Sequence, residues 1–233
     1  MINNKICVFD FETDGKNPEE CSPVQLSAII IDPIKLEIIP KSEFNTFLKP
    51  EKLVNCNTDN PYTDSDILDW HGKIRNLSGE QVLTEWKGYP EQKYAWAQFV
   101  SYLDKYHLKS NSNSKKSQFT APIAAGYNIL RFDMAIVNRL SNKYNNTNKE
   151  KETCLFHPRD KIDIMHLFGM WTSYISEVRG LSLDYMRDYL GIDKTNAHNA
   201  SKDVEDCAQI LLRFLRLHKK LSQKIQFKDS FKV

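Results

Sequence analysis

Ile6-Cys7-Val8-Phe9-Asp10-Phe11-Glu12-Thr13-Asp14-Gly15 governs how the remaining sequence is read. Four apolar residues run into two acidic ones, and a turn-forming Asp-Gly closes the segment. A short β-prone run bounded by turn chemistry reads as a buried strand. Alternate strand residues point to one side, so Asp10 and Glu12 project together, about 6 to 7 Å apart. Charge at the end of a buried strand is costly unless it is paired or coordinated. The segment therefore calls for a hard cation and for partners elsewhere in the chain. Alone it carries little weight: with 30 Asp and Glu in the chain, an Asp-x-Glu triplet arises about once by chance.

At 233 residues the chain suffices for one large or two small domains with a real core. Its 41% hydrophobic and 27% charged residues are those of an ordinary soluble globular protein. A formal charge of +2 sets up no global field for a polyanion, although acidic residues gathered at a metal site would leave the remaining surface more basic than the total suggests. Cys7, Cys21, Cys56, Cys154 and Cys207 are odd in number, scattered and without a Cys-x-x-Cys pair. That pattern fits reduced thiols and a cytoplasmic location. Cys154 and His157 have ligand-like spacing, but no second pair follows, so a zinc centre is not expected. The first apolar run is too short for a signal peptide, and no stretch approaches membrane-spanning length.

Moving outward from the first strand (5–11), residues 24–31 and 43–48 read as second and third strands. The connections are too short for helical crossovers, so the three form an antiparallel meander. Short helices are expected at 64–70 and 78–86. Over 91–107, Trp96, Phe99, Val100, Leu103 and Tyr106 fall at helical spacing. Residues 109–118 form a polar loop. A strand at 120–126 leads into a helix over 130–143, whose apolar face is Ile129, Phe132, Ile136, Val137 and Leu140. Asp133 lies in its first turns, where the helix dipole favours an anion. A strand at 161–164 continues as a helix to about 176. Ser182 caps a helix over 183–190, which Gly191 stops. The last helix, 200–221, carries its buried stripe on Val204, Cys207, Ala208, Leu211, Phe214, Leu215 and His218. Residues 228–233 read as a frayed tail.

Just before that last helix stands His198-Asn199-Ala200-Ser201-Lys202-Asp203. An Asp on a first helical turn again has the dipole in its favour, and the His on the preceding loop is free to reach the same spot. Four carboxylates and one histidine thus occur in order, each at a strand or helix terminus. Their conjunction outweighs the bland reading that each has alone.

On these residues the chain resembles the DEDD exonucleases, whose members include the replicase epsilon subunit, ribonuclease T and oligoribonuclease. The matching positions are Asp10 and Glu12, Asn128 and Asp133 in Asn-x3-Phe-Asp, and His198 and Asp203 in Ala-His-x-Ala-x-x-Asp. Trp70-His71-Gly72, Ile162-Asp163 and Leu181-Ser182-Leu183 support the match, which spans about 5–215. Histidine at 198 and asparagine at 199 place the resemblance in the histidine subgroup. The chain departs from the family pattern in a longer interval between the first two motifs, read as an insertion within 50–118. It departs again at Lys73, where an apolar residue is usual.

The resemblance implies a single exonuclease domain over 1–233 with an α/β, ribonuclease H-like fold: an antiparallel meander followed by parallel strands, flanked by helices. It implies two Mg²⁺ or Mn²⁺ ions, with Asp10, Glu12 and Asp203 on one, Asp10 bridging to the second, and Asp133 holding that second ion through water. His198 would be the general base, and the reaction would be hydrolysis of the terminal phosphodiester of DNA or RNA at a free, single-stranded 3′ end, releasing nucleoside monophosphates. Phe11 (through its backbone) and Thr13 would contact that end. Trp70 and His71 are read as either stacking contacts or core, and Asn128 as either a substrate contact or a helix-start hydrogen bonder. A non-catalytic module of the same fold is the competing reading. A polymerase partner and a homodimer both stay open.

Overall fold

β1 (Ile6–Thr13) runs through the middle of a mixed sheet. The computed structural model describes residues 3–54, 56, 58, 60–62, 66–108, 117–194 and 199–224. β1 pairs antiparallel with β2 (Pro23–Asp32), which pairs antiparallel with β3 (Glu37–Ile38) and β4 (Phe44–Phe47). On its other side β1 pairs parallel with β5 (Ile123–Gly126), and β5 with β6 (Lys161–Asp163). The order is β3-β2-β1-β5-β6, with β4 also on β2. This is the meander followed by parallel strands that the sequence leads one to expect.

The expected third strand, 43–48, is β4, and the shorter β3 before it on β2 was not anticipated. Lys41 between them has a φ of 60°, which breaks the extended backbone after Pro40. The Ser42 hydroxyl fills the gap, accepting from the Ile30 N–H at 3.1 Å.

The helices are α1 (Asp66–Arg75), α2 (Gly79–Gly88), α3 (Gln92–Asp104), α4 (Asp133–Lys143), α5 (Ile164–Thr172), α6 (Leu183–Leu190) and α7 (Ala200–Lys224). Ser78 starts α2 with a reciprocal capping box to Gln81. Ser182 caps α6 and Gly191, at φ 64°, ends it, as expected. The α3 stripe is core at Trp96, Phe99 and Leu103, with Val100 and Tyr106 partly buried against it.

Four expectations are corrected. Residues 118–120 form a 3-10 turn, so β5 begins later than expected. α4 begins at Asp133 rather than at 130, because Asn128 takes a left-handed conformation (φ 54°) that no helix continues through. α5 stops at Thr172, four residues early. On α7, His218 is exposed, whereas Asp206 and Ile210 are buried. The loop at 109–118 falls mostly, and the tail at 228–233 wholly, outside the described residues.

Two apolar cores sandwich the sheet. Cys7, Phe9 and Phe11 point into the one beneath α3 and α4, and Ile6 and Val8 into the one beneath α5, α6 and α7. A smaller cluster, with Tyr62, Leu68, Val82 and Trp86, joins α1 and α2 to Val24 of β2. The five cysteines are free. Among the described residues, no helix is long and apolar enough to cross a membrane.

Candidate metal centre

The alternation of β1 fixes where its charges go. Asp10 and Glu12 continue the face begun by Ile6 and Val8, so they rise towards α7. There they meet Asp203, on the first turn of that helix. One carboxylate oxygen from each of Asp10, Glu12 and Asp203 lies within 4.8 Å of the other two.

Asp133 reaches the same strand end from the other side. β1 pairs with β5 only as far as Val8, so beyond it that edge of the backbone is open. The Phe11 N–H donates across the gap to Asp133 Oδ1 at 3.1 Å. The loop that delivers Asp133 is held by the buried Asp163, whose carboxylate accepts from the N–H groups of Asn128 (3.1 Å), Leu130 (3.2 Å) and Met165 (3.1 Å). Gly126 lets that loop pass close to β1: a Cβ there would lie 2.6 Å from the Phe9 carbonyl oxygen and 2.4 Å from Ile129 Cγ2.

Burial, helped by the crowding of carboxylates around Asp10 and Glu12, makes the site proton-hungry. Burial, then repulsion from Asp133, Glu12 and Asp203, holds the Asp10 carboxyl well above the usual carboxylate range. Burial, then Asp203 and Asp133, pushes Glu12 up to about 8. Burial pushes Asp133 up to about 7, against the Phe11 hydrogen bond, which favours its charged form. All-oxygen donors converging with more negative charge than Arg187 alone offsets fit a hard divalent cation such as Mg²⁺ or Mn²⁺. Among the described residues, Cys154 and His157 belong to no comparable cluster.

Two clefts flank Glu12. One, of about 790 Å³, is lined by Phe11, Glu12, Thr13, Tyr62, Trp70 and Phe132, with Lys16 and Lys52 at its side. The other, of about 800 Å³, runs past Gln25, Ser27, Asn45, Arg75 and Ser201. Trp70 is 45% exposed in the first cleft. His71 is 5% exposed and packs edge-on against Trp86 at 5.0 Å. His71 is thus packed at the edge of the second cleft, and Trp70 faces the first. Asn128 gives its backbone N–H to Asp163. His198 lies outside the described residues.

Sequence reasoning passed over two participants, Arg187 and Asp206, and read Asp14 only as turn chemistry. Asp14 accepts from the Ser22 N–H (2.5 Å) and the Tyr62 hydroxyl (2.8 Å), folding the turn after β1. Arg187 and Asp206 are a buried ion pair behind Asp203. A signal for that pair was present. Arg187 lies four residues after Leu183 on the apolar stripe of α6, and Asp206 lies beside Cys207 on that of α7. A charge on each of two facing apolar stripes implies that the charges meet.

No family model matches the chain, and no curated protein matches it in sequence. Solved structures share its fold. Exonuclease I of E. coli in complex with a dT13 oligonucleotide aligns with a TM-score of 0.63 and 16% identity, over 95% of this chain and 43% of that one. A moderately thermophilic exonuclease I from Methylocaldum szegediense gives 0.60 and 17%, over 90% and 40%. Cell-death related nuclease 4 gives 0.61 and 15%, over 92% and 64%. The chain spans only 40 to 43% of the length of these exonuclease I chains. At such identities the likeness is one of fold, the ribonuclease H-like mixed sheet.

Proposed function

We propose that the chain is a metal-dependent 3′-5′ exonuclease of the DEDD type. The observation that carries this reading is the convergence of Asp10, Glu12 and Asp203 within 4.8 Å, with Asp133 bonded to the Phe11 amide beside them, at the carboxyl end of the central strand. Ligand sites of open α/β sheets lie at such strand ends, where the topology switches.

In this reading Asp10, Glu12 and Asp203 hold one Mg²⁺ or Mn²⁺, and Asp10 and Asp133 a second. Two such ions, when bound, stabilise the attacking and leaving oxygens of an in-line phosphoryl displacement. The protein's own residues do the rest. The Phe11 backbone, whose N–H already serves Asp133, and Thr13, whose hydroxyl donates to the Gly15 carbonyl at 2.7 Å, stand beside the position of the terminal nucleotide, and the exposed Trp70 ring offers a stacking surface for a base. Lys16 and Lys52 stand beside that cleft as counter-charges for phosphate. His198, assigned from the sequence resemblance, takes the proton from the attacking water, a task imidazole chemistry suits. The dT13 oligonucleotide held by exonuclease I on the same fold supports a single-stranded end as the substrate.

The test is digestion of 5′-labelled single-stranded DNA and RNA oligonucleotides with Mg²⁺ or Mn²⁺, beside oligonucleotides blocked at the 3′ end. Ladders shortening from the 3′ end, mononucleotide release, and loss of both with EDTA or in Asp10→Asn are expected. His198→Ala should slow the reaction about 10²- to 10⁴-fold. Undiminished trimming by Asp10→Asn, or trimming of blocked ends, would overturn the reading.

A further inference from the structure

We infer that Arg187 is a positioning residue, which holds Asp203 in its ligand orientation through a buried brace closed by Asp206; the inference rests on the metal-centre reading above. Arg187 stands on the inner stripe of α6 beside Leu183 and Met186 and is 1% exposed. Its guanidinium faces three carboxylates. One terminal nitrogen donates to Asp203 Oδ1 at 2.5 Å, the other to Asp184 Oδ1 at 2.8 Å, and Nε to Asp206 Oδ2 at 2.8 Å. Lys202 Nζ donates to the remaining oxygen of Asp206 at 2.8 Å. Asp206 is fully buried.

Packing α6 against α7 does not require this arrangement. Taking a guanidinium and a carboxylate out of water costs about as much as their attraction returns, and an apolar pair of similar volume serves a core as well or better. What an arginine adds is a rigid planar fork that fixes the direction of each partner. Asp203 and Asp206 lie one turn apart on α7, so both are gripped from one guanidinium. Asp203 needs such a grip. Its carboxylate points at those of Asp10 and Glu12, and mutual repulsion favours any rotamer that swings it away. With Oδ1 engaged by Arg187, the Asp203 carboxylate is held beside those of Asp10 and Glu12.

Mn²⁺ binding to the full-length chain, measured by calorimetry or electron paramagnetic resonance, tests this separately from turnover. The paired variant Arg187→Met with Asp206→Leu removes the brace together with its fully buried partner carboxylate, leaving Asp203 at 13% side-chain exposure and the partly exposed Lys202 and Asp184 to solvent, and is expected to keep the wild-type circular dichroism spectrum. Its Mn²⁺ dissociation constant should rise about tenfold, towards that of Asp203→Asn. Oligonucleotide cleavage should show a lower kcat at unchanged KM. Arg187→Lys, which keeps the charge but not the fork, should recover part of the affinity; it also serves as the second variant if the pair fails to fold. Wild-type Mn²⁺ affinity in the folded pair, or in Arg187→Lys, would overturn the brace while leaving the metal centre intact. Absence of Mn²⁺ binding by the wild-type chain would instead sink the metal-centre reading itself.

Discussion

The imidazole Nε2 of His71 lies 2.9 Å from the carbonyl oxygen of Thr13, fastening α1 to the end of the strand that carries the carboxylates. The ring sits edge-on to both Trp70 and Trp86, with centroids 4.9 and 5.0 Å away. Burial pulls its pKa from 6.5 down to about 4, against the Thr13 bond. At neutral pH the ring is therefore uncharged and donates Nε2–H to Thr13.

A depressed histidine pKa has a signed consequence. Between about pH 6.5 and 4 the unfolded chain binds a proton that the folded one refuses. The contribution to stability is whole above pH 6.5 and lost as pH falls through 4. His71→Gln, which keeps a donor but does not titrate, should flatten that acid limb. His71→Ala should cost about 2 to 4 kcal/mol at pH 7 through the cavity and the orphaned carbonyl. Urea midpoints at pH 7 and 5 read both effects, and an unchanged acid limb in His71→Gln would refute the assignment.

Asp163 deserves its own variant because one carboxylate satisfies three backbone N–H groups, of Asn128, Leu130 and Met165. Asp163→Ala strands them in a half-buried loop and removes the α5 cap. A loss of about 2 to 4 kcal/mol follows from the cap and the orphaned donors together. Nuclease rate should fall further than stability explains, since the same loop delivers Asp133. Parallel thermal melts and cleavage assays on Asp163→Ala and Asp163→Asn check this, with the Asn variant expected to lie between Ala and wild type.

The sequence made the strand carrying Asp10 and Glu12 legible because apolar alternation and turn chemistry are local properties. The starts of α6 and α7 were legible for the same reason. Three things were not local. The break between β3 and β4 depends on the left-handed Lys41 and on Ser42 bridging to β2. The late start of α4 depends on Asp163, thirty residues further on, pulling Asn128 and Leu130 into its own hydrogen bonds. The Arg187 brace joins two helices whose charges look superficial until their apolar stripes are laid face to face. Long-range polar contacts, not periodicity, set the fine geometry of this site.

The carboxylate cluster predicts an unusual pH response for metal-free protein. Glu12 is raised from 4.5 to about 8 and Asp133 from 3.8 to about 7, with burial first among the causes and, for Glu12, repulsion by Asp203 and Asp133 next. The folded state then holds protons that the unfolded state has shed, so stability is whole below about pH 4 and declines as pH rises through 7 and 8. A divalent cation needs the deprotonated ligands, and its stabilisation grows over the same range. Thermal melts in EDTA and in Mg²⁺ or Mn²⁺ from pH 5 to 9 should diverge with increasing pH. Asp10→Asn should close the gap; melts that stay parallel in the wild type would refute the cluster as a metal centre.

Asn128 permits a clean separation of backbone from side-chain roles. Its φ of 54° lies in the left-handed region, where asparagine and glycine are favoured and a β-branched residue is strained. Its N–H serves Asp163, and its carbonyl accepts from the Arg131 and Phe132 N–H groups at 3.2 and 3.3 Å, forming the turn that ends at Asp133. These contacts ask for a conformation rather than for an amide side chain. Asn128→Gly should therefore keep stability within about 0.5 kcal/mol and cleavage within a few-fold, while Asn128→Val loses about 1 to 2 kcal/mol to strain and displaces Asp133. A tenfold loss of cleavage in a fully folded Asn128→Gly would assign the side chain to the substrate instead.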